Sequence, residues 1–312
     1  MSVNAGTAAV HGACLLPPTA AIELAGADVR GFLQSQLTSD VRNLQRHTSQ
    51  LSAWCNPQGR VITTLRIVAS GEALWLLLPA DQAQHVADRL RRFVLRADVA
   101  VTLHGGPLPG AGLRGAAGRT RLEDAGLPVP DGIDRVAGDD AAWVVRVAGE
   151  GERYEIYARP GAEPAGNPDP LPRLGGDWRL GNIRAGLPVV GAVHREWFLP
   201  QMLNLDALAA VSFAKGCYPG QEIVARTQNL GRVKRRMLRF AAGAAPAPGS
   251  PVHAGREVAG SVIDSAPTPD GAELLAVIRL DCAGSPLTAA GGSDTLERLA
   301  LPYPLPDGGV VG

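Results

Sequence analysis

The chain has 312 residues, of which 46% are hydrophobic and 19% are charged. This length predicts two or three domains, because a single hydrophobic core rarely grows to that size. Thirty basic and thirty acidic residues give a formal net charge of zero, which excludes a global field that would attract nucleic acid or an acidic membrane.

The sequence predicts a protein of the reducing cytoplasm. Residues 1–18, MSVNAGTAAVHGACLLPP, have no basic residue ahead of an apolar run, so they do not predict a secretory signal. No apolar stretch approaches the roughly 18–20 residues that a membrane helix needs. The cysteines are far apart and fit neither a disulfide framework nor a CxxC metal pattern; they are Cys14, Cys55, Cys217 and Cys282.

The first hundred residues predict alternating strands and helices. A strand over 20–25 is followed by a helix with Asp28 as its N-cap, whose apolar residues at helical spacing are Val29, Phe32, Leu33 and Leu37. Turn residues separate three further strands, at 51–55, 61–69 and 73–79. A second helix over 81–95 is predicted to bury one face, and a strand follows at 99–103. That buried face consists of Ala83, Val86, Leu90, Phe93 and Val94.

A middle segment of βαββ type is predicted next. Residues 105–112 are predicted as a loop, and the segment ends in a hairpin at 142–159. Residues 160–173 are too rich in proline and glycine for regular structure.

The last third predicts one more helix and a C-terminal β unit. The helix covers 177–188 and buries Trp178, Ile183 and Leu187. The run GAAPAPGSP at 243–251 is the best linker-like break in the chain. The short strands beyond it predict a small β-barrel or sandwich.

A thiol stands inside the stretch 215–226, K-G-C-Y-P-G-Q-E-I-V-A-R. Lys215 supplies a cation two residues from Cys217, and Pro219 fits the first turn of a helix that runs through Arg226. A thiolate or a bound anion is favoured just outside such a helix N-terminus. The alternative is a tightly packed turn in which Cys217 is a buried apolar group. Spacing alone leaves both interpretations open.

Three further observations limit the chemistry that this stretch can perform. The basic residues are 28 arginines and only two lysines, Lys215 and Lys234, so a retained lysine marks a place where a compact ammonium matters, unless its position is chance. Cys–His acyl transfer is disfavoured because His194, the nearest histidine, has no orienting partner in the sequence. Metal binding by Cys217 is disfavoured because no second ligand lies at a recurring spacing.

Five cations lie within eight residues of the segment 228–239; they are Arg232, Lys234, Arg235, Arg236 and Arg239. In a strand, residues 232, 234 and 236 share one face, and residues 235 and 239 share the other. Such a cluster suits phosphates, a glutamate tail, RNA or an acidic partner. The alternative is a solvated edge strand, whose charges discourage aggregation. Because no aromatic residue interleaves, direct nucleic-acid binding is disfavoured.

Four segments together resemble the YgfZ family of folate-binding proteins, which is similar to the aminomethyltransferase (T-protein) of the glycine-cleavage system. They are K-G-C-Y-P-G-Q-E (215–222), F-L-Q-S-Q-L-T-S-D-V (32–41), W-C-N-P-Q-G-R-V (54–61) and A-G-L-P (185–188). The resemblance covers most of the chain. It implies an α+β fold of three domains in a ring around a channel, the last domain being a β-barrel. The expected limits are 1–110 plus about 175–240 for the folate-binding core, 111–174 for the inserted segment and 241–312 for the barrel.

The resemblance also implies a function. It implies that the chain binds tetrahydrofolate or a one-carbon derivative and supports iron–sulfur enzymes transiently, including one that methylthiolates tRNA. Cys217 matches the signature cysteine of the family, and Lys215 is the second catalytic residue that we expect. The expected folate-binding residues are Trp178, Tyr218, Gln221, Glu222, Arg226 and Asn56. An aromatic ring such as Trp178 stacks on a pterin, although a core tryptophan is the alternative.

One departure argues against a classical enzyme. In the aminomethyltransferases, the segment similar to N-P-Q-G-R-V-I-T-T-L carries an acidic pair where this chain has Thr63 and Thr64. A threonine hydroxyl offers no charge near pH 7 and cannot act as a carboxylate does. Folate-dependent aminomethyl transfer therefore remains only as the alternative function.

Overall fold

A computed structural model describes residues 13–138, 140–161, 175–230, 233–289 and 295–306. These residues form three antiparallel sheets and five α-helices, which agrees with the predicted mixture of α and β structure. Most of the predicted loop 160–173 lies outside the described residues, as does Arg232. None of the helices in the described ranges is long and apolar enough to cross a membrane.

The elements follow the chain in this order. The N-terminal elements are β1 (Ala13–Leu15), β2 (Thr19–Ala25), α1 (Val29–Gln34), β3 (Thr48–Cys55), β4 (Val61–Ser70), β5 (Ala73–Pro79), α2 (Ala80–Phe93) and β6 (Ala100–Leu103). The middle elements are β7 (Gly110–Arg114), α3 (Gly115–Asp124), β8 (Val136–Gly138), β9 (Ala142–Arg146), β10 (Arg153–Ala158) and α4 (Gly175–Arg184). The C-terminal elements are α5 (Gln221–Leu230), β11 (Arg235–Ala242), β12 (Pro251–Ala254), β13 (Glu257–Thr268), β14 (Gly271–Arg279), β15 (Leu287–Ala289) and β16 (Glu297–Leu299).

The N-terminal sheet, in the order β3-β4-β5-β2-β6, is buried on both faces. Successive side chains of a strand point to opposite faces. In β5, Leu76 packs in the same cluster as Leu90 of α2, whereas Trp75 points the other way. There Trp75 meets Trp143 of β9 with ring centroids 4.8 Å apart. The sheet is therefore sandwiched between α2 and the middle sheet.

The middle sheet has the order β1-β7-β10-β9-β8. The predicted loop at 105–112 is wrong at its end, because Gly112 pairs in β7 with Cys14 of β1 and Glu155 of β10. Gly110 and Gly112 of β7 lie so close to neighbouring groups that neither position has room for a side chain. A Cβ on Gly112 would lie 2.3 Å from the ring of Trp178.

The C-terminal sheet has the order β15-β12-β13-β14-β11-β16, and α4 packs on β13 and β14. Two ion pairs join the helix to these strands, Arg179 with Asp264 and Arg184 with Glu273. Strand β11 pairs with β14 along its whole length but with β16 only at residues 239–241. Within the described residues, the prediction of an edge strand in the basic segment is therefore correct for 235–238 and wrong at 239. The predicted domain limits, the ring of three domains and the closed barrel stay predictions.

Helix ends differ from the predictions for local reasons. Helix α1 ends at Gln34, so Leu37 is not helical and instead forms an isolated bridge with Trp54. Asp28 occupies the N-cap position without capping, since its carboxylate accepts the main-chain N–H of Asp98. Helix α2 ends at Phe93, whose side chain is 43% exposed and does not belong to the buried face.

Candidate functional site

The ammonium of Lys215 joins two of the segments quoted above. It donates hydrogen bonds to the main-chain carbonyls of Leu37 at 2.5 Å and Ser39 at 2.8 Å. A lysine suits this position, because a compact ammonium has three donors that can serve diverging carbonyls. One of the two lysines of the chain therefore anchors the loop 215–220 to the segment 32–41.

Two glycines bring the turn at 56–59 against the same loop. Gly220 has a φ of +79°, and a Cβ there would lie 2.4 Å from Gly59 Cα and 2.5 Å from the Asn56 carbonyl oxygen. The Asn56 side chain is used by its own turn, since Oδ1 accepts the N–H groups of Gln58 and Arg60. Contact between Asn56 and a folate stays a prediction.

Cys217 is exposed, whereas Cys14, Cys55 and Cys282 are buried. The interpretation of Cys217 as a buried apolar group is therefore wrong. Burial raises the pKa of the Cys55 thiol far above its ordinary value, which keeps that sulfur protonated and unreactive. Among the cysteines, Cys217 is the one whose sulfur a substrate or reagent can reach, and its chemical role stays a prediction.

Lys215 itself is buried beneath the loop. Its ammonium lies 5.2 Å from the centroid of the Tyr218 ring, within cation–π range. Burial lowers the pKa of Lys215 to about 8, with Asp40 opposing this shift and Arg42 adding to it. At pH 7 the group is charged and committed to carbonyls and a ring.

The other residues predicted from the signature divide by exposure. Tyr218 is buried, and burial raises the pKa of its hydroxyl far above the ordinary value. Gln221 is half-buried and donates from Nε2 to the Lys215 carbonyl at 3.3 Å. Helix α5 begins at Gln221, so the prediction that Pro219 lies in its first turn is wrong, and Cys217 lies four residues before the first helical residue. Glu222 and Arg226 are exposed one turn apart on this helix.

A cavity of about 150 Å³ lies among the N-terminal sheet, the middle sheet and α4. Polar side chains in its lining include Thr64, Arg66, Glu155 and Asn182. Glu155 is oriented by two donors, the Trp178 indole N–H at 3.1 Å and the Tyr157 hydroxyl at 3.1 Å. The carboxylate is therefore held at the edge of the cavity in a fixed orientation.

Trp178 is fully buried and does not line this cavity, although its indole N–H bonds to Glu155, which does. The guanidinium of Arg153 lies 4.3 Å from its ring centroid, and Gly112 packs against the ring. This environment is that of a core tryptophan, which was the alternative interpretation. Direct stacking on a pterin stays a prediction, and it requires a movement that uncovers the ring.

Thr63 and Thr64 act as donors to the main chain. The Thr63 hydroxyl donates to the Val190 carbonyl at 3.0 Å, and the Thr64 hydroxyl donates to the Pro188 carbonyl at 3.2 Å. The Thr64 oxygen also accepts the Val190 N–H at 3.0 Å. A carboxylate in either place would face a carbonyl oxygen without a proton to donate.

The predicted site residues lie at two places. Leu51, in the middle of β3, lines the cavity. Cys55, the last residue of β3, lies close enough to Tyr218 to contribute to the raised pKa of the Tyr218 hydroxyl. Four residues of strand span about 13 Å. The structure therefore groups Lys215, Tyr218, Gln221 and Asn56 with the Cys217 loop, and leaves Trp178 at the cavity.

Two of the five cations in the basic segment at 228–239 are paired with carboxylates inside the protein. Arg236 is buried and makes a bidentate pair with Asp206, at 2.7 and 2.9 Å. Arg239 pairs with Glu273 at 2.7 Å. Strand β11 begins at Arg235, so Lys234 is not part of it, and the predicted strand face shared by 234 and 236 is wrong.

The histidine that is nearest to Cys217 in the sequence is bonded to another part of the chain. His194 is buried and its Nε2 lies 2.9 Å from the Val262 carbonyl, so it is engaged away from Cys217.

Glu155 was not predicted as a site residue from the sequence. A carboxylate between the hydrophobic residues of R-Y-E-I-Y is nevertheless a signal of a buried polar function.

Comparison with known proteins gives consistent results. No family model matches the chain. The chain is 32% identical over 220 residues to the tRNA-modifying protein YgfZ of Colwellia psychrerythraea, covering 70% of this chain and 68% of the relative. It is 26% identical over 298 residues to the protein of the same name from an Enterobacter species, covering 90% of each.

Among solved structures, the fold is similar to the glycine cleavage system aminomethyltransferase T of Bartonella henselae. The TM-score is 0.74 with 18% sequence identity, and the match covers 94% of this chain and 86% of the other. At this identity the likeness concerns the fold alone.

Proposed function

The chain belongs to the family of the tRNA-modifying protein YgfZ, and from this premise we propose that it binds a reduced folate and supports iron–sulfur enzymes through the thiol of Cys217. Tetrahydrofolate or a one-carbon derivative is the ligand. An iron–sulfur enzyme that methylthiolates tRNA is one of its transient partners, which gives the chain its part in tRNA modification. It acts in the cytoplasm, and its three sheets belong to three domains in a ring that ends in a barrel.

The observation that supports this proposal most is an exposed sulfur on a firmly held loop. The carbonyl contacts of Lys215 and the contact of Gly220 with Gly59 fix the loop on both sides of Cys217. A loop fixed in this way presents its thiol in a constant position. Cys217 either attacks a carbon borne on the folate, forming an S–C bond as the C–N bond breaks and the folate nitrogen takes up a proton, or makes transient contact with sulfur or a cluster of the client enzyme.

The cavity beside Glu155 receives the pterin. A pterin offers adjacent N–H donors along its aminopyrimidine edge, and a carboxylate accepts such pairs with both oxygens. Each oxygen of Glu155 keeps an unused lone pair after its bonds with Trp178 and Tyr157. Since the volume is about 150 Å³, below the roughly 300–1,000 Å³ of sites that hold whole drug-sized ligands, the rest of the folate extends outside.

Aminomethyl transfer is disfavoured as the second function. The hydroxyls of Thr63 and Thr64 are engaged with the carbonyls of Val190 and Pro188. The position therefore serves to hold the segment 188–190, and supplies no carboxylate for one-carbon transfer.

Two experiments test the proposal separately. Calorimetric titration with tetrahydrofolate should show binding that weakens about 10–100-fold in Glu155→Gln, as expected for a charge-assisted contact, and is unchanged in the control Glu150→Gln on an exposed turn. Equal affinity in Glu155→Gln and the parent would refute the pterin site. Growth of a deletion strain restored by Cys217→Ser at normal protein level would refute the role of the thiol.

A further inference from the structure

A second cavity, of about 360 Å³, lies between the N-terminal and C-terminal sheets, and we call it the Trp197 cavity. Its lining comprises Arg60, Glu196, Trp197, Phe198, Arg235, Val258, Gly260, Ser261 and Val277. The volume falls in the range of about 300–1,000 Å³ that is usual for small-molecule sites. None of these residues lines the cavity beside Glu155.

Trp197 offers an exposed aromatic surface on a fixed segment. Its side chain is 46% exposed, whereas the other four tryptophans are at most 5% exposed. The main chain around it is held on both sides, since Val61 bonds through its carbonyl to the Glu196 N–H and through its N–H to the Phe198 carbonyl, each at 2.8 Å. An accessible indole that is held in place is a stacking surface for a flat ring.

Two guanidinium groups line the same cavity. Arg60 is exposed and donates one hydrogen bond to the Trp197 carbonyl, which leaves most of its five donors unused. Arg235 is exposed, and within the described part of the chain it makes no ion pair with a carboxylate. Its neighbours in the C-terminal sheet differ, because Arg239 and Arg279 are both paired with carboxylates.

A hydroxyl without a protein partner belongs to a residue that lines this cavity. Ser261 lines the cavity, and its Oγ is buried without a hydrogen-bond partner among the described residues. Buried polar atoms in folded proteins nearly always have a partner, so a lone one calls for an explanation. Glu196 adds a single carboxylate, with Arg89 at 3.7 Å.

We propose that the Trp197 cavity binds a nucleoside monophosphate. The base stacks on Trp197, and the phosphate is bound by Arg60 and Arg235 with the Ser261 hydroxyl as a further donor. Two guanidinium groups and a hydroxyl supply more hydrogen-bond donors than the carboxylate of a ligand could accept. They match the three oxygens of a phosphate. Glu196 accepts hydrogen bonds from ribose hydroxyls or an exocyclic amino group, which a purely anionic ligand lacks.

The test is a titration of the full chain with AMP, adenosine and inorganic phosphate in parallel. AMP should bind saturably at sub-millimolar concentration, with adenosine and phosphate each at least about tenfold weaker, because each lacks one half of the contacts. Trp197→Ala and Arg235→Gln should each weaken AMP binding about tenfold or more. Arg121→Gln, at an exposed arginine of α3 that does not line the cavity, is the control and should bind as the parent does.

Ser261→Ala separates binding from folding. Removing an unsatisfied hydroxyl should leave the melting temperature unchanged or raise it, while AMP binding falls several-fold. Equal AMP affinity in the parent and Arg235→Gln, or phosphate binding as tight as AMP, would overturn the proposal. Tetrahydrofolate affinity should be unchanged in Arg235→Gln, so failure here is distinguishable from failure of the proposed folate site.

Discussion

Lys215 and Cys217 are separated by one residue and face opposite environments. The ammonium of Lys215 is buried on the carbonyls of Leu37 and Ser39, whereas Cys217 is exposed. The lysine therefore holds the loop from within while the cysteine faces outward. Substitutions at the two positions should have separable effects on stability and on reactivity.

Cys217 should be the single fast-reacting thiol of the native protein. Titration with a thiol reagent such as DTNB should consume one equivalent rapidly in the parent and none in Cys217→Ser, because the other three sulfurs are buried. After denaturation the parent should consume four equivalents, the total number of cysteines, and the variant one fewer. A fast equivalent that persists in Cys217→Ser would contradict the assigned exposure.

Lys215 should make stability depend on pH in the alkaline range. Its folded pKa of about 8 lies below the ordinary value of 10.5, so between these pH values the unfolded chain binds more protons. The free energy of unfolding contributed by this group therefore rises as pH increases through that window and is constant below it. Urea unfolding at several pH values should show this rise in the parent and lose it in Lys215→Met.

The other lysine provides the control for that measurement. Lys234 is exposed, and Lys234→Met should retain the rise with pH and the stability of the parent. At pH 7, Lys215→Met should lose about 1–3 kcal/mol, because two buried carbonyls are left without a donor. The same slope in parent and Lys215→Met would show that the ammonium is not buried.

Gly220→Ala should destabilise the protein more than a matched glycine substitution. Both Gly220 and Gly255 have positive φ, +79° and +60°, but a Cβ on Gly220 meets the main chain at 2.4 Å whereas one on Gly255 meets nothing within 4 Å. Gly255→Ala should lose about 1 kcal/mol from backbone strain alone. Thermal unfolding should place Gly220→Ala clearly below it, and equal melting temperatures would refute the contact between the loop and the turn.

Asp206→Asn should be severely destabilising. It breaks the buried bidentate pair and removes the negative charge of Asp206 from a guanidinium that is 1% exposed, a change that costs about 3–5 kcal/mol. Asp281→Asn removes an exposed pair with Arg279 and should cost at most about 1 kcal/mol. Denaturant unfolding of both variants measures the difference, and similar losses would contradict the burial.

Local patterns predicted most of the strands and the existence of the helices, but not β1 or the start of β7. The continuous apolar run A-L-W-L-L-L-P predicted β5, and the glycine that follows α4 is present in A-G-L-P. Gly186 has a φ of +64°, the left-handed conformation that usually follows a helix, so the prediction of a helix to 188 overlooked a signal that was present. Leu187 consequently lies beyond the helix end and is only half-buried.

Long-range partners could not be read from the sequence. Lys215 finds its acceptors 176 and 178 residues away in the chain, and main-chain carbonyls have no sequence signature. Arg236 was assigned to a charged surface because its neighbours are basic, yet Asp206, 30 residues earlier, allows its burial. Residue type and spacing identified the loop of Cys217, and tertiary packing decided which of its side chains point inward.

The hydroxyls of Thr63 and Thr64 donate to the carbonyls of Val190 and Pro188. A single substitution therefore cannot introduce transferase chemistry at this position. Introducing an aspartate at residue 64 would set its negative charge against a carbonyl dipole and displace the stretch that follows A-G-L-P. An engineer who wants one-carbon chemistry from this scaffold has to redesign that stretch together with β4, since each currently dictates the shape of the other.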